Sequence, residues 1–415
     1  MYTTLNKQTS FFVALSLILI LFSTCRKGSS KYKSANALKI QWQKTIGNTD
    51  QAIIYNTQQT TDGGYILAGY KKCTLNNGNY WIAKLNSNAD IEWEKIYGSS
   101  NFNKNISIQQ TIDNGYIVAY FITGNNYDIN SWILKLTPSG DIEWKKSYVG
   151  SSDNILNSIK QTADKGYIAV GQTRSNNGNI PNDQRNFDAW IIKLAANGNL
   201  EWSKTFGEID YEQMNDVQQT TNGEYLITGH THSDDGNITN NHSNTDLWII
   251  KLQANGNLQW QKTYGGSNND YANCIQKAND GHYIIAGSTY SSNGDITNSH
   301  GGEDAWVIKI DDLGDILQQT TVGKNGSEGA NSILQTHDNN FLIAGRSKNV
   351  NSNTNNIFIA ALDTDCTLLW QRQIPQDAKD SYPNAIFETP DCGYMLFGNQ
   401  ISNSFLSTSI IIKLK

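Results

Sequence analysis

The chain has 415 residues, with 32 Lys and Arg against 38 Asp and Glu, a net charge of −6 and five cysteines. A mild acidic excess without a basic cluster excludes a nucleic-acid surface, which needs a concentrated positive face. Cys73, Cys274, Cys366 and Cys392 show no CxxC or zinc spacing, although an exported chain can pair some of its cysteines.

Residues 1–24 read as an export signal. Lys7, their only charge, precedes an unbroken apolar run from Phe11 to Phe22 and then "STC". The run is too short to span a bilayer comfortably. "FSTC" resembles a bacterial lipobox, which implies that Cys25 carries lipid and becomes the first mature residue. Phe22 and Thr24 replace the box's usual Leu and small residue, so a plain secretion signal is the alternative. Residues 25–37 are the lipidated cysteine and a polar, small-residue tether.

Residues 38–415 are repetitive. A "GYI"-type phrase recurs at Tyr65, Tyr116, Tyr167, Tyr225, Tyr283, Phe341 and Tyr394, spaced by 51, 51, 58, 58, 58 and 53 residues. Each copy holds a first strand ("NDVQQT"), a tight turn ("DGG"), a second strand ("YIIAG"), a variable connection, a third strand ("DAWIIKL"), a turn ("ANGN") and a fourth strand ("LQWQKTYG"). Four short strands with Gly/Asn turns make an antiparallel meander. The apolar third strand suits a sheet covered on both faces. The Ala-Gly that ends the second strand suits a place where backbones crowd. Seven such sheets, each covered by its neighbours, predict an all-β, seven-bladed β-propeller.

The chain ends at "IIIKLK", a third strand, and opens at "IQWQKTIG", a fourth. The N-terminal strand is therefore expected to complete the last blade and close the ring, leaving no unpaired sheet edge. The eleven tryptophans agree. Five fall at one third-strand position (Trp81, Trp132, Trp190, Trp248, Trp306) and six at one fourth-strand position (Trp42, Trp93, Trp144, Trp202, Trp260, Trp370). Placement in nearly every blade points to packing between blades rather than to sugar stacking. Gln318, Phe358 and Ile410 stand where the pattern breaks. The recurring Lys84, Lys135, Lys193, Lys251, Lys309 and Lys413 read as cross-strand ion pairs, with partners such as Glu92, Glu143 and Glu201.

Blades 3, 4 and 5 carry seven extra residues between their second and third strands: "SNNGNIPNDQRNFD" (175–188), "SDDGNITNNHSNTD" (233–246) and "SSNGDITNSHGGED" (291–304). Alternation of the connections puts all three on one rim, on adjacent blades. The polar set specific to them is Asn177, Asn179, Asp235, Asn237, His242, Asn293, Asp295 and His300, the candidate ligand-binding rim. Calcium bound by loop oxygens is one reading; self-satisfied Asx turns are the other. Asp188, Asp246 and Asp304 face Asn79, Asn130 and Asn356 at the same position in blades without the insertion, and so read as turn formers. His230 and His232, with His242, are either transition-metal donors or simply exposed. Cys366 (blade 6) and Cys392 (blade 7) lie in turns on the opposite rim of neighbouring blades, so a disulfide between them is an expectation. Packing alone offers no reason for the insertions.

"YGGSNNDYANCIQKANDGHYIIAG" and "SNGDITNSHGGEDAWVIKI" resemble a widespread group of exported bacterial repeat proteins. These are propellers of mostly unknown function, often lipoproteins or surface proteins, and sometimes labelled lectin-like. The resemblance covers residues 38–415 and implies an envelope or outer-membrane location. No stretch matches the bulb-lectin motif QxDxNxVxY. "KLxxxGxxxW" also resembles quinoprotein propellers, but those have eight blades and a dedicated cofactor site, and that activity does not carry over. No GxSxG, HExxH, GxGxxG or phosphate-loop motif is present. The expected role is a monomeric binding propeller at the cell envelope. It would recognise a glycan or a protein through the rim bearing the insertions, and touch membrane only through its lipid anchor. The alternatives are a glycan hydrolase or lyase working at the central channel, and a purely structural envelope lipoprotein.

Overall fold

The computed structural model describes residues 38–415 apart from 48–50, 73–77, 101–105, 124–128, 176, 178–185, 208, 235–237, 239–240, 243, 325, 349–353, 376–379 and 402–406. The export signal, Cys25 and the tether lie outside the described residues.

The described residues form seven four-stranded antiparallel sheets and no helix. Blades 1 to 6 are consecutive meanders. Blade 7 has the order Ile40–Ile46, Ser407–Leu414, Gly393–Ile401, Asp380–Thr389, so the N-terminal strand supplies its missing fourth strand. Ile40 pairs with Leu414 and Ile46 with Ser409. Lys39 and Lys415 exchange backbone hydrogen bonds of 2.8 and 3.0 Å at the end of that ladder. Blade 7 then packs Met395, Phe397 and Ile411 against Ile54, Trp81 and Leu85 of blade 1.

First strands of successive blades touch one another around the ring and so line the channel; fourth strands lie outermost. In blades 1 and 3 to 7 the first strand carries a β-bulge, for example between Ala272 and Cys274. The second-strand glycine of the Ala-Gly phrase sits opposite. A Cβ on Gly69, Gly171, Gly229 or Gly287 would lie 1.9 Å from a first-strand carbonyl oxygen. Blade 2 has no bulge and carries Tyr120 there. The crowding is thus between neighbouring strands, where the bulge pushes one backbone onto the other.

The channel wall is also stitched laterally. Asn157, Asn215, Asn273 and Asn331 each donate a side-chain N–H to the first-strand carbonyl of the following blade (Met214, Ala272, Ala330 and Pro383), at 2.7–3.0 Å. Asn384 closes the series onto Ile54. At the far rim, Gln110, Gln161, Gln219 and Gln335 accept the turn N–H of the preceding blade at 2.8 Å. The asparagine bonds satisfy first-strand carbonyls beside the bulges, and the glutamine bonds tie exposed turns of neighbouring blades together.

The tryptophans pack blade on blade. Trp81, Trp190, Trp248 and Trp306 are fully buried. The half-buried fourth-strand rings of Trp93, Trp144 and Trp202 meet Tyr116, Tyr167 and Tyr225 of the next blade edge-on at 5.9–6.1 Å. The repeated lysines are buried; Lys84, Lys135, Lys193 and Lys251 hold two acids each, and Lys309 and Lys413 one each, Asp280 and Asp391. Lys84 binds Glu92 at 3.1 Å as expected, and also Asp62 of the first turn at 2.8 Å; Lys135 and Lys193 repeat this with Asp113 and Asp164. Burial opposes ionisation of Asp62, but hydrogen bonds from Lys84, Thr60 and the Gly64 N–H outweigh it and bring its pKa down to about 2.

The expected Cys366–Cys392 disulfide does not form. Cys366 is a free, buried thiol, while Cys392 is disulfide-bonded elsewhere. The cause is which way Cys366 faces: its side chain packs among Ala278, Phe341 and Leu362, in the interface of blade 6 with blade 5 rather than with blade 7. It occupies a turn position where blades 2 to 5 have glycine. A Cβ on those glycines would come within 2.7–3.0 Å of the preceding blade's fourth-strand Trp. Blade 5 has Gln318 in place of that Trp, which leaves room for the thiol.

Candidate functional site at the channel mouth

The inserted loops do have a packing role, contrary to the sequence expectation. Ile238 and Ile296 of the second and third loops are buried, Ile238 between blades 3 and 4 and Ile296 between blades 4 and 5. Around Ile296 the loop is stapled to the end of blade 4. Asn293 Oδ1 accepts the Ser267 N–H at 2.9 Å, and Asp295 Oδ2 accepts the Gly265 N–H at 3.0 Å. Gln319 and Thr321 bind the loop carbonyls of Asp295 and Asn298. These side-chain oxygens therefore serve the turn itself, which favours the Asx-turn reading over a loop calcium site.

The eight candidate rim residues do not converge. His242 donates its backbone N–H to Asp246 Oδ2 at 3.0 Å and sets Nδ1 2.8 Å from the same oxygen. His300 donates its N–H to Asp304 Oδ2 at 2.7 Å. Asn177 is exposed and apart from them. Asn179, Asp235 and Asn237 lie outside the described residues. Only His242 and Asp295 share a concavity, an open cleft of about 540 Å³ on the outer flank between blades 4 and 5, with Lys262 and Asp315. Nor do the three histidines form a metal centre. His232 Nε2 lies 2.7 Å from Thr245 Oγ1, and His242 is held on Asp246. Among the described residues no group of three or more His, Cys, Asp or Glu side chains is placed to hold a metal ion together.

Asp188, Asp246 and Asp304 are not mere turn formers. All three are buried, and each meets a second buried acid, Glu212, Asp270 or Glu328, at the start of the next blade. The sequence carried this signal. Aspartate stands at that position only in blades with the insertion, against Asn79, Asn130 and Asn356 in blades 1, 2 and 6 and Thr408 in blade 7; grouping aspartate with asparagine hid it.

The same rim holds a second feature, at the mouth of the channel. First-strand positions Tyr211, Gln213 and Tyr271 and second-strand ends Gln172, His230 and His232 meet there. The Tyr211 hydroxyl lies 2.6 Å from both Gln172 Oε1 and Gln213 Oε1. Its ring stacks on His230 at 5.8 Å and meets His232 at 5.7 Å, and Tyr271 meets His230 edge-on at 5.1 Å. Burial, aided by the neighbouring His232, pushes His230 down to about 3, so it is neutral at ordinary pH. Burial also lowers His232. His230 Nδ1 has no protein partner among the described residues. The arc continues through Tyr290 and Glu303, both of whose carboxylate oxygens accept from Arg346 Nη2, at 2.8 and 2.9 Å. It ends at Tyr382, whose hydroxyl accepts Asn355 Nδ2 at 3.0 Å. Sequence reasoning missed this arc because its members come from five blades and no single repeat holds the pattern.

No protein-family model matches the chain, and no curated protein matches it. Among solved structures it is similar to a polysaccharide lyase described as an ulvan lyase of a new family, at TM-score 0.54 and 8% identity over 88% of this chain and 95% of that one. It is also similar to the β-propeller domain of the Trilobed protease from Pyrococcus furiosus, at TM-score 0.50 and 8% identity over 88% and 97%. At such identities the likeness shows the fold alone, a β-propeller.

Proposed function

We propose that the protein is an exported propeller that binds a carbohydrate chain at the cell envelope, through the channel mouth on the insertion rim. The observation that carries this reading is the continuous arc of ring faces and polar tips from Gln172 to Tyr382. Tyrosine and histidine rings offer flat apolar faces for sugars, and their polar edges, with the Gln and Asn amides, offer partners for hydroxyls. The inserted loops then act mainly as supports, holding blades 3 to 5 in place behind the arc. In a glycan array or affinity electrophoresis, Tyr271→Ala is expected to weaken the best glycan at least tenfold, about 1.4 kcal/mol, while the melting temperature changes little. Undiminished binding by this variant would move the site elsewhere.

One observation favours a second reading, eliminative cleavage of an acidic glycan at the same place. Tyr211 lies edge-on to His232, an exposed imidazole able to take a proton leaving a substrate carbon. Release of unsaturated sugar ends by the wild type, abolished in Tyr211→Phe, would establish it.

The envelope location rests on Cys25 and the apolar run before it. A clickable fatty acid fed to cells is expected to label the wild type and not Cys25→Ala; equal labelling of both would refute an anchor at this residue.

A further inference from the structure

At the interface of blades 4 and 5, Asp246 begins a third strand and Asp270 begins the next blade's first strand. Both are 0% exposed. The Asp270 N–H donates to Thr245 O at 2.6 Å, which fixes the two residues side by side. Their carboxylates converge on one glycine: a Cβ at Gly265 would lie 2.4 Å from Asp246 Oδ1 and 2.6 Å from Asp270 Oδ2. At the interface of blades 5 and 6, a Cβ at Gly323 would lie 2.0 Å from Asp304 Oδ1 and 3.0 Å from Glu328 Oε2. Asp304 and Glu328 are 0% and 1% exposed.

These acids are not neutralised by protein. Among the described residues no Lys or Arg pairs with Asp246, Asp270, Asp304 or Glu328; His242 Nδ1 lies 2.8 Å from Asp246 Oδ2, and His300 Nδ1 lies 3.6 Å from Asp304 Oδ1, beyond hydrogen-bond distance. Asp246 Oδ1, Asp270 Oδ1 and Asp304 Oδ1 are buried and accept no hydrogen bond. Their other oxygens are well served: Asp270 Oδ2 by Gly266 N–H and Ser291 Oγ, Asp246 Oδ2 by His242, Asp304 Oδ2 by His300 and Ser299. One oxygen of each aspartate is positioned by the protein and the other is left bare.

Two like charges buried together without a counter-charge are costly. The fold does not require them. Where blade 2 meets blade 3 the corresponding residues are Asn130 and Asn154, and the same strands pair there with neutral amides. Acid pairs replace the amides only behind the insertions, where the loop histidines also close over them.

We propose that the interface of blades 4 and 5, and its repeat between blades 5 and 6, each hold a divalent oxygen-seeking cation, calcium. It would be bound by Asp246 with Asp270, and by Asp304 with Glu328. A pair of carboxylates supplies the two negative charges that balance a divalent ion, and the bare aspartate oxygens are ligands of the kind calcium prefers; Glu328, whose oxygens accept the Lys324 N–H and the Ser347 hydroxyl, adds the second charge of its pair. This site differs from the loop-oxygen calcium set of the sequence reading, and it does not depend on the glycan proposal.

The test uses the purified mature protein, stripped with EDTA and dialysed against calcium chloride. Elemental analysis is expected to find at least two calcium ions per chain, and calcium to raise the melting temperature through linkage. Asp246→Asn with Asp270→Asn should lower the count by one and shrink that rise; Asp304→Asn with Glu328→Gln should do the same independently. Asp90→Asn, at an exposed acid of blade 1 paired with Lys44, should leave the count unchanged. No bound calcium in the wild type, or an unchanged count in both double variants, would overturn the proposal. So would EDTA-stripped double variants more stable than stripped wild type with no calcium bound by either, the pattern expected of pairs that share a proton.

Discussion

A chain truncated to begin at Asn48 is expected to lose its cooperative melt and become aggregated or readily proteolysed. The strand Ile40–Ile46 is the sole sheet partner on one side of the C-terminal strand. Without it, Ser407–Leu414 becomes a bare, strongly apolar edge, "IIIKL", of the kind that pairs with other chains. The truncation also removes buried Leu38, which packs with Ile374 and Leu414, and the half-buried Trp42 and Ile46, which pack against blade 1. A truncated protein that melts in one transition at the wild-type temperature would show that the ring does not need this strand.

The second large effect is expected at Gly287. This glycine has no positive φ, so its backbone shape alone would admit alanine. What forbids a side chain is the Tyr271 carbonyl oxygen, 1.9 Å from where the Cβ would go. Gly287→Ala must either push back the first strand or unmake its bulge, and is expected to cost about 3 kcal/mol, the upper end for overpacking. Gly223→Ala is the control. Gly223 has φ +84° but open space, its nearest neighbour being a Gln219 side-chain atom at 4.0 Å, so it should cost only about 1 kcal/mol. Chemical denaturation of the two variants decides between the causes. An equal or smaller loss at Gly287 would mean that the bulge yields easily. Because the bulge follows Tyr271, Gly287→Ala should also weaken glycan binding, since bulges re-aim the side chains beside them.

The fold was legible because propeller blades repeat, and repetition turns weak strand signals into strong ones. Trp42 at the start of the chain and "IIIKLK" at its end were enough to place the closing strand. Positions that make contacts within one repeat, such as Lys84 with Glu92, were also readable. Contacts between repeats were not. The asparagine that opens "NDV" and "NSI" reads as an ordinary strand residue until the next blade's carbonyl is seen in front of it. Cys366 looked like a disulfide partner because rim and neighbouring blade could be read from the topology, whereas the face of the sheet toward which it points could not. The channel-mouth arc was least accessible: Tyr211, Glu303 and Arg346 are unremarkable in their own repeats and meet only when the ring curves them together.

Ring closure also sets the order of events in folding. The closing strand is among the first parts of the fold to be synthesised, yet its partner is among the last, since Ile40 pairs with Leu414 and Lys39 with Lys415. Blades 1 to 6 are built from neighbouring residues and can form as the chain emerges. Blade 7 waits for both termini, and such a distant pairing carries the largest loop-closure entropy in the molecule. Until the final residues appear, the N-terminal strand stays without its sheet partner. An unclosed ring is then the expected slow intermediate, and the apolar faces of blades 1 and 7 are where a chaperone would be needed.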